Sequence, residues 1–199
     1  MNKKFGISVL VSGGGTNLQA LIDSIKRGDL PGAEIVLVIS SRQDAFAIER
    51  AKAAGIKTAV ISKTEHSDEV SRGTAIIEAL ENAGTDLIVL AGYMSILQPE
   101  VIQKYNKRII NIHPSLIPKH CGKGFYGMKV HRSVIEAGDK VSGATVHFVD
   151  EGIDTGEIIL QREVAVFEND DEKTLAARVL EVEHRILPEA ISKIIGGFF

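Results

Sequence analysis

The first half of the chain alternates short apolar, β-branched runs with longer segments whose apolar positions recur every three to four residues. Residues 5–11 end at Ser12-Gly13-Gly14-Gly15, and from Thr16 onward Leu18, Leu21, Ile22 and Ile25 fall on one face. That pattern predicts a strand, a glycine turn and an N-capped helix. Residues 34–39 predict a second strand, followed by the turn Ser40-Ser41-Arg42 and a helix over about 44–54. A short strand at 58–61 precedes a helix opened by Ser67-Asp68-Glu69, with Val70, Ile76, Ile77 and Leu80 turned inward and Gly84 closing it. Residues 86–91 are nearly all apolar, as a strand covered on both faces would be. Pro99 begins a short helix, and 108–111 reads as one more buried strand.

Such alternation favours a parallel sheet with right-handed crossovers. The second half changes character. Residues 114–129 are rich in Pro and Gly and read as a loop, and 131–137 as a helix. Residues 141–149 and 157–166 predict two antiparallel strands joined by an acidic, glycine-containing loop. A helix over about 172–195 carries Leu175, Val179, Val182, Ile186, Ile191 and Ile194 on one stripe, with Pro188 inside as an expected kink. The fold class is α/β: a Rossmann-like, mostly parallel sheet flanked by helices, with an antiparallel C-terminal extension. The organisation expected is a single domain over 1–199, with a phosphate-binding half (1–111) and a catalytic portion (112–199).

Composition narrows the function classes. The chain has 199 residues, 44% of them hydrophobic, and a net charge of -3. The apolar content excludes disorder, and the charge argues against a general nucleic-acid or acidic-membrane binder. No apolar run approaches the ~18 residues of a membrane span. A single Cys121 excludes an internal disulfide framework and any CxxC motif, so a soluble protein of the reducing cytoplasm is expected. The six His show neither HExxH nor a paired spacing, and no metal is assigned.

Candidate chemistry sits at two places. The loop Ser12-Gly13-Gly14-Gly15-Thr16-Asn17 lies between a strand and a helix, where exposed amides and the helix dipole favour an anion. It lacks the third glycine of a dinucleotide fingerprint, where Leu18 stands, and the Lys of a P-loop. It reads either as a plain tight turn or as a cradle for one phosphate monoester. The second place is Asn111-Ile112-His113-Pro114-Ser115, directly after a buried strand. In a strand, positions 111 and 113 face the same side, so an amide and an imidazole project together at the carboxyl edge of the sheet. An amide that polarises a carbonyl beside an imidazole that moves a proton suits acyl transfer. The same pair also fits a core histidine with a strand-end cap. The loop Asp150-Glu151-Gly152-Ile153-Asp154 offers a carboxylate partner, or is an ordinary turn.

These segments, with 90–97 (Leu-Ala-Gly-Tyr-Met-Ser-Ile-Leu), 146–156 and Glu183-His184, resemble the glycinamide ribonucleotide formyltransferases in order and over nearly the whole chain. The resemblance implies a folate-dependent formyl transfer from 10-formyltetrahydrofolate to glycinamide ribonucleotide in purine biosynthesis. It implies Gly13, Gly15, Thr16 and Asn17 at the substrate phosphate and Glu183 at the ribose. It also implies Met94, Ser95, Ile96 and Leu97 with Asp150, Glu151, Gly152 and Ile153 around the pteridine, and Asn111, His113 and Asp154 as the catalytic three. Partners are then small molecules, with no nucleic acid and no membrane, and the protein is a monomer or homodimer. Departures from the family pattern are Gly14 for Asn, Ser95 for Arg, a long loop at 120–129, and no arginine where the third helix opens, Arg72 being out of register. Formyltetrahydrofolate deformylase and a non-catalytic phosphometabolite-binding module are the competing classes. If Asp154 is hydrogen-bonded to His113, the opposite charge is expected to raise the imidazole pKa.

Overall fold

The computed structural model describes residues 3–197. It divides into two compact units, Met1–Ile110 and Asn111–Phe199.

The first unit is a β/α alternation. Its elements are β1 (Phe5–Val11), α1 (Thr16–Arg27), β2 (Ala33–Ser40), α2 (Phe46–Ala53), β3 (Thr58–Val60), α3 (Glu69–Ala83), β4 (Leu87–Leu90) and α4 (Pro99–Lys104). β1 pairs in parallel with both β2 and β4, and β2 in parallel with β3. A strand flanked on both edges and covered on both faces has no solvent side, so Ile7, Val9, Leu10 and Val11 are wholly buried. The one polar residue inside β1, Ser8, meets Thr85 Oγ1 at 2.7 Å, and Thr85 in turn donates to the Leu80 carbonyl at 2.7 Å. Gly6 is required because a Cβ there would stand 2.6 Å from the Gly84 carbonyl oxygen.

β5 (Ile109–His113) carries the chain into the second unit, which adds α5 (Met128–Ala137), β6 (Val141–Phe148), β7 (Ile158–Ala165) and α6 (Glu172–Ile195). The strand order is β3-β2-β1-β4-β5-β6-β7. β6 and β7 form an antiparallel pair whose register shifts between Val146 and His147. Asp171 caps α6 in a capping box with Thr174. Among the described residues, no helix is long and apolar enough to cross a membrane.

Four details differ from the sequence expectation. Val70 is 67% exposed, because it lies about 200° around the α3 axis from Arg72, which with Ile76 and Leu80 forms the buried stripe. α5 begins three residues early, at Met128, with Gly127 at φ 54 as its N-cap; the Gly and aromatic residues before it disguise the first turn. α6 runs on through Pro188, and Ile194 on its stripe is only half-buried. The N-cap of α1 is Gly15 in the left-handed region, with no side-chain cap hydrogen bond.

Gly15 serves packing as well as conformation. A Cβ at that position, at φ +71, would stand 2.6 Å from Ala47 Cβ and 2.8 Å from its Cα, whereas Gly14 has open space around it. Gly15→Ala is therefore expected to cost about 2–4 kcal/mol and to lower the melting temperature by roughly 5–15 °C. Gly14→Ala should stay within about 2 °C of the parent. Equal melting temperatures for the two variants in a thermal scan would contradict this packing.

Candidate active site

The second unit gathers a cluster of side chains at the end of β5. Asn111 and His113 occupy alternate positions of this strand and so share a face. The strand continues to His113, two residues beyond the sequence expectation. The His113 ring is nearly buried. Its Nε2 donates to the His120 carbonyl at 3.0 Å, which leaves Nδ1 as the lone-pair nitrogen of the neutral ring. Nδ1 faces Asp154 Oδ2 at 3.6 Å, an ion-pair distance but not a hydrogen bond. Asp154 itself sits in the left-handed region at φ 58, and its Oδ2 accepts the Gly122 N–H at 2.9 Å.

A fourth side chain completes the cluster. His147 stands on β6 at the register shift, buried, with Nδ1 donating to the Phe148 carbonyl at 2.7 Å. That bond places its lone pair on Nε2, which accepts one Asn111 amide hydrogen at 3.2 Å. The other Asn111 hydrogen faces Asp154 Oδ1 at 3.5 Å, the limit of a hydrogen bond. His147 Nε2 and Asp154 Oδ1 are 3.7 Å apart, with the amide as the link between them. Sequence reasoning assigned no role to His147. The available signal was the alternation of β6, where Thr145 and His147 are polar and two residues apart, on one face of the strand.

Burial dominates the electrostatics of the rings. It pushes the His113 pKa below its ordinary value, although the His120 carbonyl and the Asp154 charge both oppose it and the His147 ring adds to the lowering. The sequence expectation of a raised value is therefore overturned: at 3.6 Å without a hydrogen bond, the carboxylate offsets only part of the desolvation. His131, buried on α5, is driven down to about 4 by burial and by His113. Asp154 goes the other way. Burial works against its charge, but the His147 and His113 rings and the Gly122 N–H together hold its carboxyl below the usual range. The cluster thus sets an ionised carboxylate beside a His113 ring whose burial favours its neutral form. Among the described residues, no group of three or more His, Cys, Asp or Glu side chains could hold a metal ion.

Elsewhere in the second unit, Asp150 Oδ1 accepts from Gly152 N at 3.0 Å and from Thr155 Oγ1 at 2.6 Å, so this side chain shapes its own loop. Glu151, Gly152 and Ile153 are exposed, and Glu183 is buried on α6.

In the first unit, the glycine loop turns its carbonyls toward α2. The Gly13 carbonyl accepts from Ala47 N at 3.0 Å and the Gly14 carbonyl from Arg50 Nε at 2.8 Å. Across a trans peptide the next N–H points the opposite way, so the amides of Gly14 and Gly15 face away from α2. α1 starts at Thr16 with no acidic residue in its first turn, and Asn17 is buried behind it. Ser12 Oγ accepts the Met94 N–H at 2.8 Å, which ties this loop to the segment 94–97. In that segment Met94 and Ile96 are exposed and Leu97 is buried, while Gln98 Nε2 donates to the Ile96 carbonyl at 3.1 Å. Arg72 is buried, with Nη1 donating to the His66 carbonyl at 3.3 Å.

Comparison with known proteins agrees in sequence and in fold. The profile of the formyl transferase family matches residues 6–191. The chain is 45% identical over 191 residues to a phosphoribosylglycinamide formyltransferase of Haemophilus influenzae, covering 96% of this chain and 87% of that one. It is 43% identical to part of the trifunctional purine biosynthetic protein adenosine-3 of Bos taurus, covering 98% of this chain and 19% of the longer protein. Among solved structures, glycinamide ribonucleotide transformylase 1 from Symbiobacterium toebii superposes with a TM-score of 0.92 at 41% identity, covering 99% and 90% of the two chains. A family match over nearly the whole length, with a near-identical fold, leaves one conclusion: the chain belongs to the formyl transferase family.

Proposed function

We infer that this protein transfers the formyl group of 10-formyltetrahydrofolate to the primary amine of glycinamide ribonucleotide, a step of purine biosynthesis. The observation that carries the reading is the cluster of Asn111, His113 and Asp154, an amide donor, a neutral imidazole and an ionised carboxylate on one small surface. Relatives named for this activity match this chain over nearly its full length.

The roles follow from the protons. The substrate amine attacks the formyl carbon, forming a C–N bond and moving the carbonyl electrons onto oxygen. The Asn111 hydrogen that rests against Asp154 at the limit of bonding is the one available to that oxyanion, while the other stays on His147. The proton lost by the amine goes to His113 Nδ1, the lone-pair nitrogen. The imidazolium so formed is stabilised by Asp154 and by the His120 carbonyl, both of which favour its charge. Breaking the bond from carbon to the folate nitrogen returns that proton to the leaving nitrogen. In the first unit, the amides of Gly14 and Gly15 and the first turn of α1 are assigned to the substrate phosphate, with Gly13, Thr16 and Asn17 around it. Glu183 is assigned to the ribose, and residues 94–97 and 150–153 to the pteridine. The protein is proposed to act as a monomer or homodimer. The compartment proposed is the cytoplasm.

Tetrahydrofolate formation should require glycinamide ribonucleotide; formation at the same rate without it would make the protein a hydrolase, and no formation at all a binding module. In the transfer assay, Asn111→Ala should lower kcat by ~10²–10³-fold and His113→Ala by ~10²–10⁴-fold. Both should melt close to the parent, and retained activity in either would remove that residue from the chemistry.

The pH dependence has a definite sign. His113 must be neutral to accept the amine proton, so activity falls on the acid side as the ring protonates, below its ordinary value. Asp154 raises that pKa, so Asp154→Asn should move the ring titration to still lower pH, and the acid limb with it. kcat should nevertheless fall by ~10²–10⁴-fold, because the imidazolium loses its counter-charge. NMR titration of the His113 ring separates this shift from the amine's own ionisation, which both proteins share. A titration that stays put, or moves upward, would contradict the assignment.

A further inference from the structure

Two backbone groups, two residues apart, hold the two ends of the catalytic couple. The His120 carbonyl accepts from His113 Nε2, and the Gly122 N–H donates to Asp154 Oδ2. The placement of this short segment therefore sets which His113 nitrogen carries the proton and where the carboxylate rests. His120 adopts φ 51, a left-handed conformation that a residue with a Cβ takes only when its surroundings impose it.

The surroundings are on the His120 side chain. Its Nε2 donates to Asp139 Oδ2 at 3.0 Å, since a carboxylate can only accept. Its Nδ1 meets Ser133 Oγ at 2.8 Å. Ser133 Oγ also meets the Val130 carbonyl at 2.7 Å. Both ring nitrogens are thus held, one by α5 and one by the turn that follows it. Asp139 also binds Lys119 Nζ at 3.1 and 3.2 Å, which secures the residue before His120. The Lys119 carbonyl in turn accepts from Ser115 Oγ at 2.6 Å. The His120 and Lys119 hydrogen bonds hold the Asp139 carboxyl below its ordinary value. Phe125 closes the ring from the side in an edge-on contact at 6.4 Å.

We propose that His120 is a positioning residue for the formyl transfer: its ring, clamped by Asp139 and Ser133, fixes a left-handed backbone whose carbonyl sets the His113 tautomer and whose neighbouring amide seats Asp154. The proposal rests on the assignment of His113 and Asp154 to the chemistry. His120 does not itself move the proton, because both of its ring nitrogens face Asp139 and Ser133, and only its carbonyl faces His113. Losing that carbonyl contact removes an influence that favours the protonated His113 ring, so the ring should titrate at lower pH.

The test compares His120→Phe, which keeps a ring beside Phe125 and loses both ring nitrogens, with the parent enzyme. We expect kcat to fall by about tenfold to 10²-fold, with KM for both substrates within about twofold. In the ¹⁵N spectrum of the His113 ring, the Nε2–H tautomer should give way to a tautomer mixture, and its titration should move down. Asp139→Ala and Ser133→Ala remove the clamp one bond at a time. They should give smaller changes in the same direction, and they carry the test if the His120 variant does not fold. An unchanged kcat, or a lower kcat with a parent-like His113 spectrum and titration, overturns the proposal. Parent-like activity in His113→Ala would instead overturn the reading on which it rests, whatever the His120 variants show.

Discussion

The arrangement depends on keeping the Asp154 carboxylate ionised in a nearly buried place. Removing a charge from water is costly unless donors replace the lost solvent. Here the replacements are the Gly122 amide and one hydrogen of Asn111, with the His113 and His147 rings beside them. Each brings a separate element to the same carboxylate: the loop after β5 through Gly122, β5 through Asn111 and His113, and β6 through His147. Asp154 accepts a left-handed backbone to reach them. The charge organises the cluster because each group around it must face it in one particular way.

The rings answer to the opposite constraint. Burial makes both His113 and His131 poorer bases, and a neutral ring has to place its single proton somewhere. Backbone carbonyls decide where. The Phe148 carbonyl takes the His147 proton at Nδ1 and the His120 carbonyl takes the His113 proton at Nε2. One ring is thereby a fixed acceptor for Asn111, and the other is an acceptor open to the reaction. The carboxylate stands ready at 3.6 Å for the moment the second ring becomes charged. Stabilisation is thus reserved for the charged intermediate rather than for the resting state.

Much of the architecture was legible in the amino acids. Strands buried on both faces read as plain apolar runs, so β1, β2 and β4 were visible, and the change from alternation to a hairpin marked β6 and β7. The inward face of α3 was misread at Val70 because the buried stripe runs through Arg72, a residue that polarity alone would place outside. In the site, Asn111 and His113 stood out as polar residues ending an apolar strand. Asp154 was one of three acids in its loop, and family resemblance singled it out. His120 was not legible, because it acts through a carbonyl that every residue possesses. The direction of the His113 shift was also hidden. Charge proximity and burial oppose one another, and only the three-dimensional burial shows that desolvation wins. Gly15 was read as part of an anion-binding turn, and the close approach of Ala47 is visible only in the structure.

The central claim is a distribution of protons, and neutron diffraction from crystals grown near neutral pH observes it directly. The account requires deuterium on Nε2 and not Nδ1 of His113, on Nδ1 and not Nε2 of His147, and none on Asp154. It also requires Asn111 to point its nitrogen, not its oxygen, at the carboxylate. Deuterium on His113 Nδ1 directed at Asp154 in the resting enzyme, or a protonated Asp154, would contradict it.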